Sequence, residues 1–184
     1  MVTSTFDPCL LVSTTEAFGL VGMQTDDTLI VATEEFSAKE DAELSAAKLR
    51  AKPKECLIAV ILLSFNNSIL TQEGAAIVLR QKNQADKLEQ VDATAPLYYK
   101  DYRRQRARAA YIATICQPEA SFDLSTAAQH KEPSAEDAKA LNRRIQWQKV
   151  NTARGIKFIP LDLTSAKLIV FVDGSFANNK DLSS

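Results

Sequence analysis

Apolar and polar positions follow one another in short blocks along the first part of the chain. "CLLVS" (residues 9–13), "GLVGMQT" (19–25) and "TLIVAT" (28–33) are β-forming runs separated by polar turns. Asp26 and Asp27 fall between the second and third runs, so the pattern predicts a β-hairpin with both carboxylates at its turn. From residue 34 the composition shifts to Ala, Glu, Lys and Leu, which favour helix. At 3.6 residues per turn Phe36, Leu44, Ala47 and Ala51 share a face over residues 34–52, and Pro53 is expected to stop the helix. A second β unit follows. "CLIAVILLSF" (56–65) reads as one continuous apolar strand, "NNS" as its turn, and "AAIVLRQ" (75–81) as the returning strand, leading to a short helix near Leu88.

After a loop at 93–96, Tyr98, Tyr102, Ala109, Ile112, Ala113 and Cys116 recur on one side of a helix that Pro118 ends. A short helix is expected over 123–129. Ser134 and Asp137 have the spacing of a capping box, which predicts a helix from 135 to about 153 with Gly155 as its C-cap. "GIKFIPL" (155–161) and "KLIVFVDGSF" (167–176) return to strand. The fold class is therefore α+β: hairpin, covering helix, second hairpin, a mostly helical stretch and a final strand or two.

Composition narrows what such a fold does. The chain has 184 residues, 46% hydrophobic and 24% charged, enough for a packed core. A formal net charge of −1 argues against whole-surface attraction to nucleic acid or anionic membrane, so any such contact needs a local basic patch. Cys9, Cys56 and Cys116 lie far apart and His130 is the single histidine, which argues against a four-ligand zinc site and a disulfide framework. The cysteines are expected to be buried as small apolar residues. The longest apolar run, "CLIAVILL", is too short to span a membrane, and "MVTSTFDPC" lacks the features of a signal peptide. These features predict an intracellular protein, cytoplasmic or nuclear, with no membrane partner.

The candidate chemistry is concentrated in few residues. Adjacent aspartates at a rigid turn suit Mg2+, which takes oxygen ligands, and two divalent metals serve nucleotidyl transfer. Aspartate is equally a common turn former. Lys100, Arg103, Arg104, Arg106 and Arg108 form a basic cluster offset by Asp101, suited to phosphates or to a solvated helix surface. These residues spread over several faces of their helix. His130 stands in a loop without a catalytic partner pattern. Trp147 falls off the Ala138, Leu141, Ile145 face and is expected to pack on a neighbouring element. Tyr98, Tyr99 and Tyr102 have the spacing of core residues rather than of base-stacking ones.

The order of these segments resembles the C-terminal part of a copia-type retrotransposon reverse transcriptase, where the palm runs through a connection into RNase H. Gln24-Thr25-Asp26-Asp27 followed by "TLIVA" is similar to the family's aromatic-x-Asp-Asp hairpin. "FDPCLLV" (6–12) is similar to the Asp-Pro-Cys strand before it. "QRARAAYIATICQPEASFDLSTAAQ" (105–129) and "LNRRIQWQKVNTARGIKF" (141–158) resemble the helices that follow. "LIVFVDGSFANNKDLSS" (168–184) is similar to the first RNase H strand. The resemblance implies a partial palm/thumb-like region over 1–95, a helical connection over 96–160 and the start of an RNase H-like domain over 161–184. It implies Asp26, Asp27 and Asp173 as catalytic carboxylates, Asp26 and Asp27 as Mg2+ ligands, and an RNA/DNA template-primer as partner, with Arg103, Arg104, Arg106 and Arg108 as its contacts.

The chain also departs from the family's pattern. Asp7 is the one other aspartate ahead of Asp26, and it matches the Asp-Pro-Cys segment, not the third palm carboxylate. Gln24 stands where the family usually places an aromatic. Fingers and most RNase H carboxylates have no counterpart. The expectation is a fragment that is not competent for polymerisation alone and that associates through surfaces its missing parts normally cover. An alternative of another class is a non-catalytic nucleic-acid-binding or interaction module using the Arg103–Arg108 helix.

Overall fold

The computed structural model describes residues 1–25 and 27–170. It is α+β, with two antiparallel four-stranded sheets and four helices. The first sheet has the order β1 (Val2–Thr3), β2 (Leu10–Val12), β3 (Gly19–Gln24) and β4 (Asp27–Ala32), and α1 (Glu34–Ala46) follows it. The second has the order β5 (Leu63–Phe65), β6 (Ser68–Glu73), β7 (Ala76–Gln81) and β8 (Gly155–Phe158). Between β7 and β8 the chain forms α2 (Tyr98–Ile115), α3 (Ser121–Gln129) and α4 (Ala135–Val150). β7 and β8 thus pair across the expected boundary at 95/96.

Three sequence-predicted elements differ. "CLIAVILLSF" is not one strand. Ile58 bridges to Ile61 in a tight turn whose Val60 is 89% exposed, and only Leu63–Phe65 joins a sheet. Apolar content alone could not assign this run, because no partner strand meets its first half. β6 has no counterpart among the elements the pattern predicts, and its "SILTQE" lies between two tight turns. Asn66 and Asn67, with φ of 45° and 58°, make the two-residue turn into β6, and Gly74, with φ of 62°, opens the turn out of it. α1 stops at Ala46 instead of reaching Pro53. Lys48 takes a left-handed φ of 56°, its N–H bonds Ser45 O, and Leu49 N–H bonds Leu44 O, the Schellman pattern without glycine. The helix buries only Phe36, so no apolar stripe rewards its extension.

The capping box at Ser134 is formed as expected, with Ser134 N–H and Oγ–H donating to Asp137 and Asp137 N–H donating to Ser134 Oγ. Gly155 is not the cap of α4, which ends at Val150 with Asn151 as its C-cap. It opens β8 opposite Arg80, where an added Cβ would lie 2.3 Å from Leu79 O. "KLIVFVDGSF" is not strand over 167–170, and its remainder lies outside the described residues.

The larger core sits among the three helices and the segment before them. Ala109 and Ile112 of α2, Leu124 of α3, Leu141 and Ile145 of α4, and Ala85, Leu88 and Val91 are all buried in it. Residues 85–93 are mostly irregular, so the backbone there has few helix or sheet partners. Side chains supply them. Gln81 Oε1 accepts from Ala85 N–H, Gln105 Oε1 from Glu89 N–H, and Lys149 Nζ donates to Leu88 O. Asn142 of α4 meets both polar groups of Val91, accepting from its N–H at 2.7 Å and donating to its carbonyl at 2.8 Å. Removing one partner strands a desolvated group, which costs about 1–3 kcal/mol. Asn142→Ala leaves two such groups and is expected to lower stability in urea by about 2–4 kcal/mol. Asn142→Asp keeps the acceptor, loses the donor and should lie between. An Asn142→Ala effect below about 0.5 kcal/mol would show that water replaces the amide.

Candidate functional site

The sheet around the aspartate turn is held at one end. Val21 and Phe36 are buried with Ala17, and Leu11, Ile30 and Ala32 pack against them. The approach is close: a Cβ on Gly19 would meet the Phe36 ring at 2.5 Å, so glycine is what lets α1 lie on β3. From that anchor the hairpin becomes exposed toward its turn, with Met23, Gln24, Thr25 and Asp27 all on the outside. Gln24 pairs with Asp27 as the last register pair, and Thr25 has a left-handed φ of 55°. Asp27 is thus presented on a paired strand end that its own core does not cover. Asp26 and Asp173 lie outside the described residues.

A magnesium ion needs several oxygen ligands in near-octahedral array. Asp27 has the right donor chemistry, but among the described residues no group of three or more His, Cys, Asp or Glu gathers anywhere. The described residues therefore do not complete a metal site.

The four arginines of α2 are placed apart from this hairpin in role. Arg103 donates to Lys131 O at 2.9 Å and Arg108 to Lys87 O at 2.9 Å, tying the helix to neighbouring loops. Arg104 pairs with Asp101 at 2.9 Å and lies 3.8 Å from Glu89. Arg106 is half-buried, with no hydrogen-bond or ion-pair partner among the described residues. Three of the four guanidinium groups thus already serve the chain's own backbone and carboxylates.

Two of the three tyrosines expected in the core are there, whereas Tyr99, one position round the helix from Tyr98, is exposed. Tyr102 is buried, with its hydroxyl donating to Ala127 O, and Tyr98 packs on the same core and donates to Pro133 O. Trp147 packs against the core with the Arg144 guanidinium 4.9 Å and the Arg154 guanidinium 5.7 Å from its ring centre. The cysteines do not all behave alike. Cys116 is buried, and burial raises its thiol pKa, which disfavours the nucleophilic thiolate. Cys9, in the turn ahead of β2, and Cys56, in the irregular stretch after α1, are exposed and not buried as expected.

His130 does have an acidic neighbour. The α3–α4 connection folds back so that its Nε2 lies 3.6 Å from Asp137 Oδ1. The capping box was legible in the sequence, whereas the return of the loop onto it was not. Comparison with protein-family models, curated proteins and solved structures finds no match to this chain.

The Asp137 carboxyl is held below the usual carboxylate range, first by the Ser134 N–H, then by its hydroxyl, with the nearby His130 adding a smaller effect. A carboxyl with a lowered folded pKa contributes stability that is present above its unfolded value, about 3.9, and is lost as pH falls through the folded value. Carbon-13 carboxyl titration should place the Asp137 midpoint below that value. In Ser134→Ala it should move back up. An unchanged midpoint in the variant would mean that the cap is not the cause.

Proposed function

We propose that this chain is part of a copia-type retrotransposon reverse transcriptase, spanning the palm hairpin and the connection toward RNase H. The observation that carries this reading is the antiparallel run β2-β3-β4, with an Asp-Pro-Cys turn leading in and the aspartate turn between β3 and β4 at the exposed end. A polymerase palm needs that arrangement, since the carboxylates must reach a metal and a primer end while buried strands fix their position. The helical 98–150 region is compatible with a connection, though helices of this kind occur in many folds.

In this reading Asp26 and Asp27 hold Mg2+ only together with a carboxylate that the described residues do not supply, and a template-primer duplex is the natural partner. Such an ion, when bound, activates the attacking hydroxyl and steadies the leaving phosphate. The chain's own contribution is positional: the Phe36–Val21 anchor holds the turn, and Gln24 pairs with Asp27 across its mouth. Because the arginines of α2 are largely engaged, the hairpin is preferred over that helix as the functional element.

The reading is tested by adding Mn2+ to the labelled chain. Selective weak broadening of the Gln24, Thr25, Asp27 and Thr28 amides is expected, and it should disappear in an Asp26→Asn, Asp27→Asn double variant. The isolated chain should not extend a primer. Broadening spread evenly over other acidic segments would remove the metal role, and magnesium-dependent extension abolished by Asp26→Asn would show a site complete in itself.

A further inference from the structure

Away from the hairpin, α3 and α4 flank an open groove of about 450 Å³. Its floor is apolar, with Tyr102 and Leu141 buried beneath it and Ala127 beside them. Phe122 stands at its side 80% exposed, while Leu124 and Ala127 of the same helix are buried in the core. One exposed apolar side chain is ordinary on a surface. Beside a concave apolar floor it extends that floor as a ring-sized platform.

The charges around the groove are unequally committed. Arg144 forms an ion pair with Asp123 and lies over Trp147. Asp137 accepts from Ser134 and faces His130. Arg143 also lines the groove, yet it has no hydrogen-bond or ion-pair partner among the described residues. Arg143 is therefore the one lining guanidinium without an ion pair among the described residues, while the Asp137 carboxylate is taken up by the Ser134 cap. A guanidinium matches carboxylate or phosphate oxygens in a two-point fork. The volume lies in the range of small-molecule sites, whose usual make-up is an apolar body with few polar anchors.

We propose that this groove binds a small planar aromatic anion, its ring against Phe122 and the apolar floor and its charge on Arg143. This stands apart from the aspartate hairpin and does not depend on it. Trp147 is the chain's single tryptophan and lines the same groove, so its one indole N–H resonance reports occupancy. Titration of the whole chain with 2-naphthoate is expected to move that resonance saturably. Arg143→Gln should weaken the affinity about tenfold or more, and 2-naphthalenemethanol, the same ring without the charge, should bind correspondingly less. Phe122→Ala should weaken it too, while Lys139→Gln, outside this groove on the same helix, should leave it unchanged. Both positions are exposed, so neither variant threatens the fold. No saturable shift, an equal affinity in Arg143→Gln, or equal binding of the neutral compound would each overturn the proposal.

Discussion

The second sheet and the three helices are joined through a segment whose backbone has few regular partners. Residues 85–93 bury Ala85, Leu88 and Val91 in the helical core, yet only Ala85–Lys87 is even a single turn of 3-10 helix. A buried backbone polar group without a partner costs more than most single contacts return. The amides of Gln81, Gln105 and Asn142 and the ammonium of Lys149 meet that requirement. Each reaches from a regular element, so the irregular segment is fixed only once β7, α2 and α4 are in place. This coupling also explains why Arg108 is used on Lys87 O, at the same segment, and is not simply a free surface charge.

The N-terminal sheet is organised differently. Its buried cluster is three residues, Ala17, Val21 and Phe36, with Leu11, Ile30 and Ala32 beside them. A core that small contributes little beyond holding one end of the hairpin, which leaves the opposite end free to present Asp27. α1 contributes one buried ring, and its remaining length is tied down chiefly by Lys54, which bonds Ser37 O and pairs with Glu40 and Asp41. Those pairs are partly solvent-exposed and are worth little by themselves. Among the described residues no helix is long and apolar enough to cross a membrane.

Arg80 shows how β8 is held despite being added from far along the chain. Its guanidinium donates to Ala153 O, Thr71 and Glu73, so one side chain links β6, β7 and the exit of α4. The cross-strand row Leu63, Leu70, Leu79 and Ile156 runs through all four strands on one face. Directly opposed apolar residues of this kind are what stabilise register in an antiparallel sheet.

Local pattern by itself determined much of this. The hairpin around the aspartates, the face of α2 from Tyr102 to Cys116, its stop before Pro118, and the capping box of α4 follow from spacings within one turn or one strand. Such features depend on interactions between residues close in sequence, so no tertiary information is needed to see them. Tertiary structure decided the rest. Most of "CLIAVILL" stayed out of the sheets, with an exposed turn at 58–61, because burial needs a facing partner and only Leu63 has one. "SILTQE" became a central strand because β5 and β7 flank it, although its own pattern is weak. The fate of charged residues was decided in the same way. Arg103 and Arg108 found backbone carbonyls, Arg143 found none among the described residues, and His130 met Asp137 only because a loop turned back. Which donor meets which acceptor across such sequence distances is a property of the packed chain, and residue spacing carries no record of it.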